Sequence, residues 1–301
     1  MKHLSLTFND IAQKNILYYD KAQEKACHNI CEALKIDNMP AYDSRHYYEL
    51  KDKTFQKKKI NKAVQLHAQQ HIFKASLLKQ FKNNKHNVLF VYKGEVLMGV
   101  VHFSDYNQTK VLQAIQDDVL TFERRMRQYF FLMNYRNKDM IAYFTYRAKN
   151  SRSSRAFYQN RIQMLEKRST EMNQLGEFQL FDLKDLLEFG NSRYSKKLFP
   201  AETMLINDKT ISEITLITSL RNIAMHGKNP IEKDQHSSVY SLDSLKYLFT
   251  ALNTLEKFTY RIENLINKHE DYQKSIQMDN RSKLEIIDKH HPKALNYFIG
   301  S

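Results

Sequence analysis

The sequence predicts an α+β chain, an α/β N-terminal half followed by an all-helical C-terminal half, and three observations carry this. Runs of β-branched and aromatic residues that read as strands are confined to about the first 110 positions. From Val111 onward, long stretches place apolar residues three and four apart, the spacing of one helix face. The 301 residues include only six Gly and four Pro, too few for the many turns of an all-β sandwich or barrel.

Taken in order, residues 20–35 (DKAQEKACHNICEALK) predict a helix with Ala22, Cys27, Ile30 and Leu34 near one face. An extended stretch from Met39 to Leu50 follows, opened by Pro40, and Lys57-Lys58-Lys59 reads as a solvated edge. Residues 71–83 predict a second helix, with Ile72, Ala75, Leu78 and Phe81 at helical spacing. Val88–Tyr92 and Val96–Val101, on either side of Lys93-Gly94-Glu95, predict a β-hairpin. Beyond Val111, helices are predicted at roughly 112–148, 153–174, 209–226 and 241–268, with a short one near 181–189. The stripes Val119, Phe122, Met126, Phe130 and Leu245, Leu248, Leu252, Leu255, Phe258, Ile262 read as core. The expected domains are therefore 1–110 and 111–270, followed by a polar tail over 271–301.

Composition excludes several classes. A hydrophobic share of 42% with 12% aromatics is too high for a disordered chain. Two cysteines rule out a disulfide scaffold and a four-cysteine zinc site. No stretch approaches the ~18 consecutive apolar residues of a membrane span. Polar residues within ten positions of Met1 argue against a signal peptide, so a cytoplasmic location and no membrane partner are expected. There is no Walker loop, GxSxG or GxGxxG. Cys27 and Cys31 lie at helical i,i+4 spacing beside His28 but lack a second ligand pair, and His67 and His71 lack an HExxH glutamate. No metal site is expected. The net charge of +14 is spread along the chain: 18 Lys and Arg oppose 10 Asp and Glu to Lys110, and 29 oppose 23 beyond it. Such an excess suits a nucleic-acid partner or a lysine-rich proteome equally.

The order helix, strand, Gly-containing hairpin, Asp occurs clearly over residues 64–110 (ending NVLFVYKGEVLMGVVHFSDYN). A degenerate copy covers about 22–60, with Met39-Pro40-Ala41-Tyr42-Asp43 where the first hairpin strand would begin. This resembles a tandem pair of CBS modules over about a third of the chain. The resemblance implies a cleft for an adenine nucleotide, in which Asp105 of Gly99–Asp105 would hold ribose hydroxyls and His102 stands where the family has Ser or Thr. A pair kept only for dimerisation, or an Asp105 that merely caps the next helix, is the competing reading.

Residues 209–228 (KTISEITLITSLRNIAMHGK) predict a helix capped by Asp208 or Thr210, with Glu213 as capping-box partner and Gly227 and Asn229-Pro230 as its stop. On a wheel of ~100° per residue, Ile211, Ile214, Ile217, Leu220, Ile223, Ala224 and Met225 form an apolar arc. Thr215, Thr218, Ser219, Asn222 and His226 form the polar stripe. Arg221 falls within the apolar arc, costly for a guanidinium unless it is paired or snorkels out. The string Arg221-Asn222-Ile223-Ala224-Met225-His226 at a helix end resembles the motif of HEPN ribonucleases.

That resemblance implies a metal-independent endoribonuclease. The RNA 2′-hydroxyl is the nucleophile, His226 shuttles the proton, and Arg221 stabilises the charge developing on phosphorus. Asn222 would orient the histidine or the phosphate. No cofactor is required for catalysis. Arg221 and His226, five residues apart, point in different directions on one helix, so the implied site is composite and the protein a homodimer. Arg124, Arg125 and Arg127, interleaved with Phe122 and Tyr129, are further candidates for RNA contact, with a solvated basic face as the alternative. A nucleotide effector in the CBS-like half would gate the site, and a toxin or antiviral-defence role fits the resemblance. The alternative is a non-catalytic CBS–HEPN regulator that binds nucleotide or RNA.

Overall fold

The computed structural model of the chain describes residues 1–34, 36–82, 88–168, 176–198, 200–233 and 240–277. The expected tail over 271–301 falls outside the described residues from 278 onward, as does the end of the 153–174 pattern from 169. The chain is a mixed α+β protein whose contacts divide it into two compact units. The first comprises Met1–Val119, Met204–Ile211 and Thr215–Asn253, the second Leu120–Thr203, Ser212–Ile214 and Thr254–Ser301. The division thus follows contact rather than chain order, and the segment 204–253 belongs largely with the N-terminal residues instead of beginning after 110.

The first unit opens with a short helix α1 (Phe8–Ile11) and α2 (Glu24–Leu34). Strands β1 (Asn38–Pro40), β2 (His46–Lys51) and β3 (Thr54–Lys59) form an antiparallel meander in that order. A two-residue loop, Asp52-Lys53, joins β2 to β3 with both φ angles positive (46° and 62°), the handedness that matches strand twist. Strands β4 (Gln65–His67), β5 (Val88–Lys93) and β6 (Val96–His102) form a second sheet, with helix α3 (Ser76–Lys82) between β4 and β5. β4 is parallel to β5, whereas β5 and β6 are the predicted hairpin, turning at Gly94 (φ +62°).

The two segments read as copies therefore differ in topology. A helical crossover lets β4 run parallel to β5, while the five-residue link between β1 and β2 permits only an antiparallel return. The hairpin of the first segment also lies at 46–59, not at Met39–Asp43.

Burial of aromatic side chains, worth roughly 2 kcal/mol each, holds this unit together. Tyr19 stacks on Tyr48 (centroids 3.9 Å) over Cys27, Cys31 and Met39. Phe249 packs on Phe73 (5.4 Å) and Tyr106 (5.8 Å). The N-terminus is fastened by Asp118, which accepts the backbone N–H groups of Lys2 (2.6 Å) and His3 (2.8 Å) and faces His3 Nδ1 at 2.6 Å. Gln13 bridges Val100 on β6 through two backbone bonds.

Helix α4 (Thr109–Leu132) is followed by α5 (Asn137–Asn150), α6 (Arg155–Lys167) and α7 (Leu183–Gly190). The expected 112–148 helix is thus two, broken at Asn134, whose φ of +63° ends α4. A hairpin that the sequence reading missed, β7 (Thr203–Ile206) and β8 (Lys209–Ser212), turns at Asn207-Asp208, both with positive φ. It is followed by α8 (Glu213–Met225) and, after 240, by α9 (Leu242–Gln277). The core of the second unit is aromatic, with Phe189 edge-on to Phe130 (5.3 Å), Tyr135 (5.4 Å) and Tyr143 (5.8 Å). Among the described residues no helix is long and apolar enough to cross a membrane.

Candidate functional site

Helix α8 starts four residues later than its pattern suggests, because Lys209–Ser212 pair with β7. Asp208 and Thr210 consequently do not cap it. Its first residue, Glu213, is buried, and its carboxylate accepts the Glu202 N–H (3.0 Å) and pairs with Lys257 (2.8 Å), a favourable charge for a helix N-terminus. At the other end Gly227 takes a φ of +59°, and Lys228 N–H reaches back to the Ile223 carbonyl (3.0 Å). This is a glycine-terminated helix end of the kind the sequence announced.

Leu216, Ile217, Leu220 and Ala224 are buried, and they are the helix face that packs. Asn222 and His226 are exposed, the latter just beyond the last helical turn. Arg221 is half-buried. Its Nε is buried without a hydrogen-bond partner, and its Nη1 lies 3.4 Å from Asn222 Oδ1. One turn earlier, Thr218 Oγ1 is likewise buried and unpartnered. A buried donor without an acceptor costs about 1–3 kcal/mol, so this stretch of α8 carries polar atoms that the described residues leave unsatisfied. Arg221 and His226, about 7.5 Å apart along the axis and ~140° apart around it, form no mutual contact. The loop after α8 is held by Asn107, which exchanges two bonds with the Ile231 backbone (2.8 and 2.9 Å).

Asp105 is engaged locally. Its carboxylate accepts the His102 N–H (2.8 Å) and Gln13 Nε2 (2.8 Å), capping the short turn Phe103–Asn107, and burial pushes its pKa up against these bonds. His102 Nδ1 meets Ser104 Oγ (2.8 Å), and burial lowers the ring's pKa. Both expected ligand residues thus serve one capping box, the competing reading given for Asp105.

Of the three candidate RNA-contacting arginines, Arg127 is committed to the fold. It pairs with Glu123 and donates to the carbonyls of Phe178 (3.1 Å) and Phe181 (3.0 Å). Arg124 and Arg125 are exposed and donate to Thr121 (3.2 Å) and Gln128 (2.9 Å) on their own helix. Cys27 and Cys31 are buried, and burial raises the Cys31 thiol. The described residues contain no group of three or more potential metal ligands.

No family model, no curated protein and no solved structure matches the chain.

Proposed function

We propose that the protein is a metal-independent endoribonuclease of the HEPN kind, cleaving RNA at a site composed across a homodimer. The observation that carries this reading is Arg221, a half-buried guanidinium whose Nε has no partner, set one residue before Asn222 and five before an exposed His226. A phosphate oxygen is a fitting acceptor for the outer Nη groups of this guanidinium, whose Nε is closed to solvent. The exposed imidazole of His226 can relay the 2′-hydroxyl proton. A second copy of α8 would bring a histidine to the arginine that one helix keeps apart. Asp105 and His102 are hydrogen-bonded within one capping box, and no nucleotide-binding role is proposed for them.

The test is cleavage of total RNA in excess EDTA. Wild type is expected to leave 2′,3′-cyclic phosphate ends, and Arg221→Ala and His226→Ala to lose at least about a hundredfold in rate. Mixing the two inactive variants is expected to restore part of the activity, since a mixed dimer retains one arginine and one histidine from opposite chains. Cleavage that survives both substitutions would sink the assignment. RNA binding without cleavage would favour a non-catalytic regulator.

A further inference from the structure

We propose that the cleft at the hairpin end of the first unit is a docking groove for the phosphate backbone of single-stranded RNA, flanked by Tyr42 as a platform for a base. This deepens the ribonuclease reading, on which it rests for the choice of RNA as the polyanion.

The cleft has a volume of about 1020 Å³ and runs from the β1–β2 link, past the end of β3, to β4 and the Gly94-Glu95 turn. Arg45, Lys59, Lys62 and His67 line it, against one acidic residue, Glu95. Neighbouring cations are already neutralised: Lys57 faces Asp43 (3.4 Å) and Lys58 pairs with Glu49. No carboxylate among the described residues pairs with Arg45, Lys59 or Lys62, so their charge is left for a ligand. His67 accepts the Gln69 N–H on Nδ1 (3.2 Å), which puts the neutral ring's proton on Nε2 as a donor.

The wall is built in advance. Tyr92 Oη donates to the Ser44 carbonyl (2.7 Å), Leu97 N–H to Ser44 Oγ (3.2 Å), and Ile60 N–H to the Arg45 carbonyl (2.9 Å). The cations therefore stand on backbone that binding need not order. Three residues before Arg45, Tyr42 is 72% exposed and stacked on Tyr18 (centroids 4.8 Å, 18° between planes). A positive groove beside an exposed ring is the pairing by which proteins hold unpaired strands, charge along the backbone and stacking for the bases. The groove lies at one end of β6, and Asn107, which fastens the loop after α8, follows its other end. Seven strand residues separate the two ends by about 20 Å.

The test measures fluorescence anisotropy of a labelled single-stranded RNA with the full-length His226→Ala chain across a salt series. Replacing Arg45, Lys59 and Lys62 together by Gln is expected to weaken binding at least about tenfold and to reduce the log–log salt slope by about 2. Tyr42→Ala should weaken binding with the slope unchanged. A control that removes the same charge at Lys21, Lys25 and Lys79 should change little, and melting curves confirm that each variant folds. Equal losses in the cleft variant and the control would overturn the groove, as would ATP binding through these three cations by a chain that does not bind RNA. If wild type never cleaves yet binds RNA through the cleft, the groove stands and the nuclease falls. Cleavage with an unchanged KM in the cleft variant would mean the reverse.

Discussion

Arg161 and Asp185 show how one residue's environment becomes a measurable pH dependence. Asp185 is buried and pairs with Arg161, which also reaches the Leu180 carbonyl (3.2 Å). Burial, and then the nearby Asp182 charge, push its pKa from 3.8 up to about 6 despite the arginine. A folded value above the unfolded one means that the fold favours the protonated form. That contribution is full below the ordinary value and is lost as pH rises through about 6. Asp185→Asn removes the titration, so the stability difference between wild type and variant should move in favour of wild type by up to about 3 kcal/mol between pH 7 and pH 4. Urea unfolding at several pH values checks this, and a flat difference would refute it. Arg127 carries the opposite lesson about legibility. Its spacing from Phe122 and Tyr129 suggested a nucleic-acid face, but the carbonyls of Phe178 and Phe181 that hold it lie some fifty residues away and leave no local trace. Arg221 was legible because its anomaly, a charge in an apolar arc, is local to one helix.

At the scale of elements, periodicity announced what is long and missed what is short. The β5–β6 hairpin was readable because both strands are β-branched runs and the turn contains Gly94. β7 and β8 have four residues each, too few to establish a period of two, and Ile211 and Ile214 fit a helix equally well. The usable cue was Asn207-Asp208, a residue pair that tolerates positive φ in a two-residue turn. The break between α4 and α5 was hidden in the same way, since the apolar stripe continues across Asn134. β6 offers a test of close approach. A Cβ on Gly99 would come within 2.7 Å of the Gln13 carbonyl oxygen, a backbone atom held by the Gln13–Val100 bridge. Gly99→Ala should therefore cost about 2 kcal/mol, whereas Gly176→Ala, whose nearest neighbour among the described residues is 3.9 Å away, should be tolerated. Thermal unfolding of the two variants separates these outcomes. Equal melting temperatures would show that the N-terminal segment yields.

For the whole molecule, the class was legible and the partition of the chain was not. Composition and periodicity pointed to a mixed α+β protein with an N-terminal sheet region and a helical C-terminal part, and the structure has both. The boundary read at residue 110 followed a change of pattern, whereas contacts follow packing: Phe249 sits on Phe73 and Tyr106, more than 140 positions away in the chain. A fragment ending at 110 should consequently fail to unfold cooperatively in urea, because it lacks Asp118 to fasten Lys2 and His3 and Phe249 to cover the Phe73 ring. A sharp transition in that fragment would show that the meander and the βαββ segment suffice. A unit assembled from 1–119 and 204–253 also sets an order of events during synthesis. Its first residues leave the ribosome long before their last packing partners exist. The segment 120–203 is finished while the older half of the first core still waits, so that core closes late, and the nascent chain holds its apolar surfaces open for most of its translation.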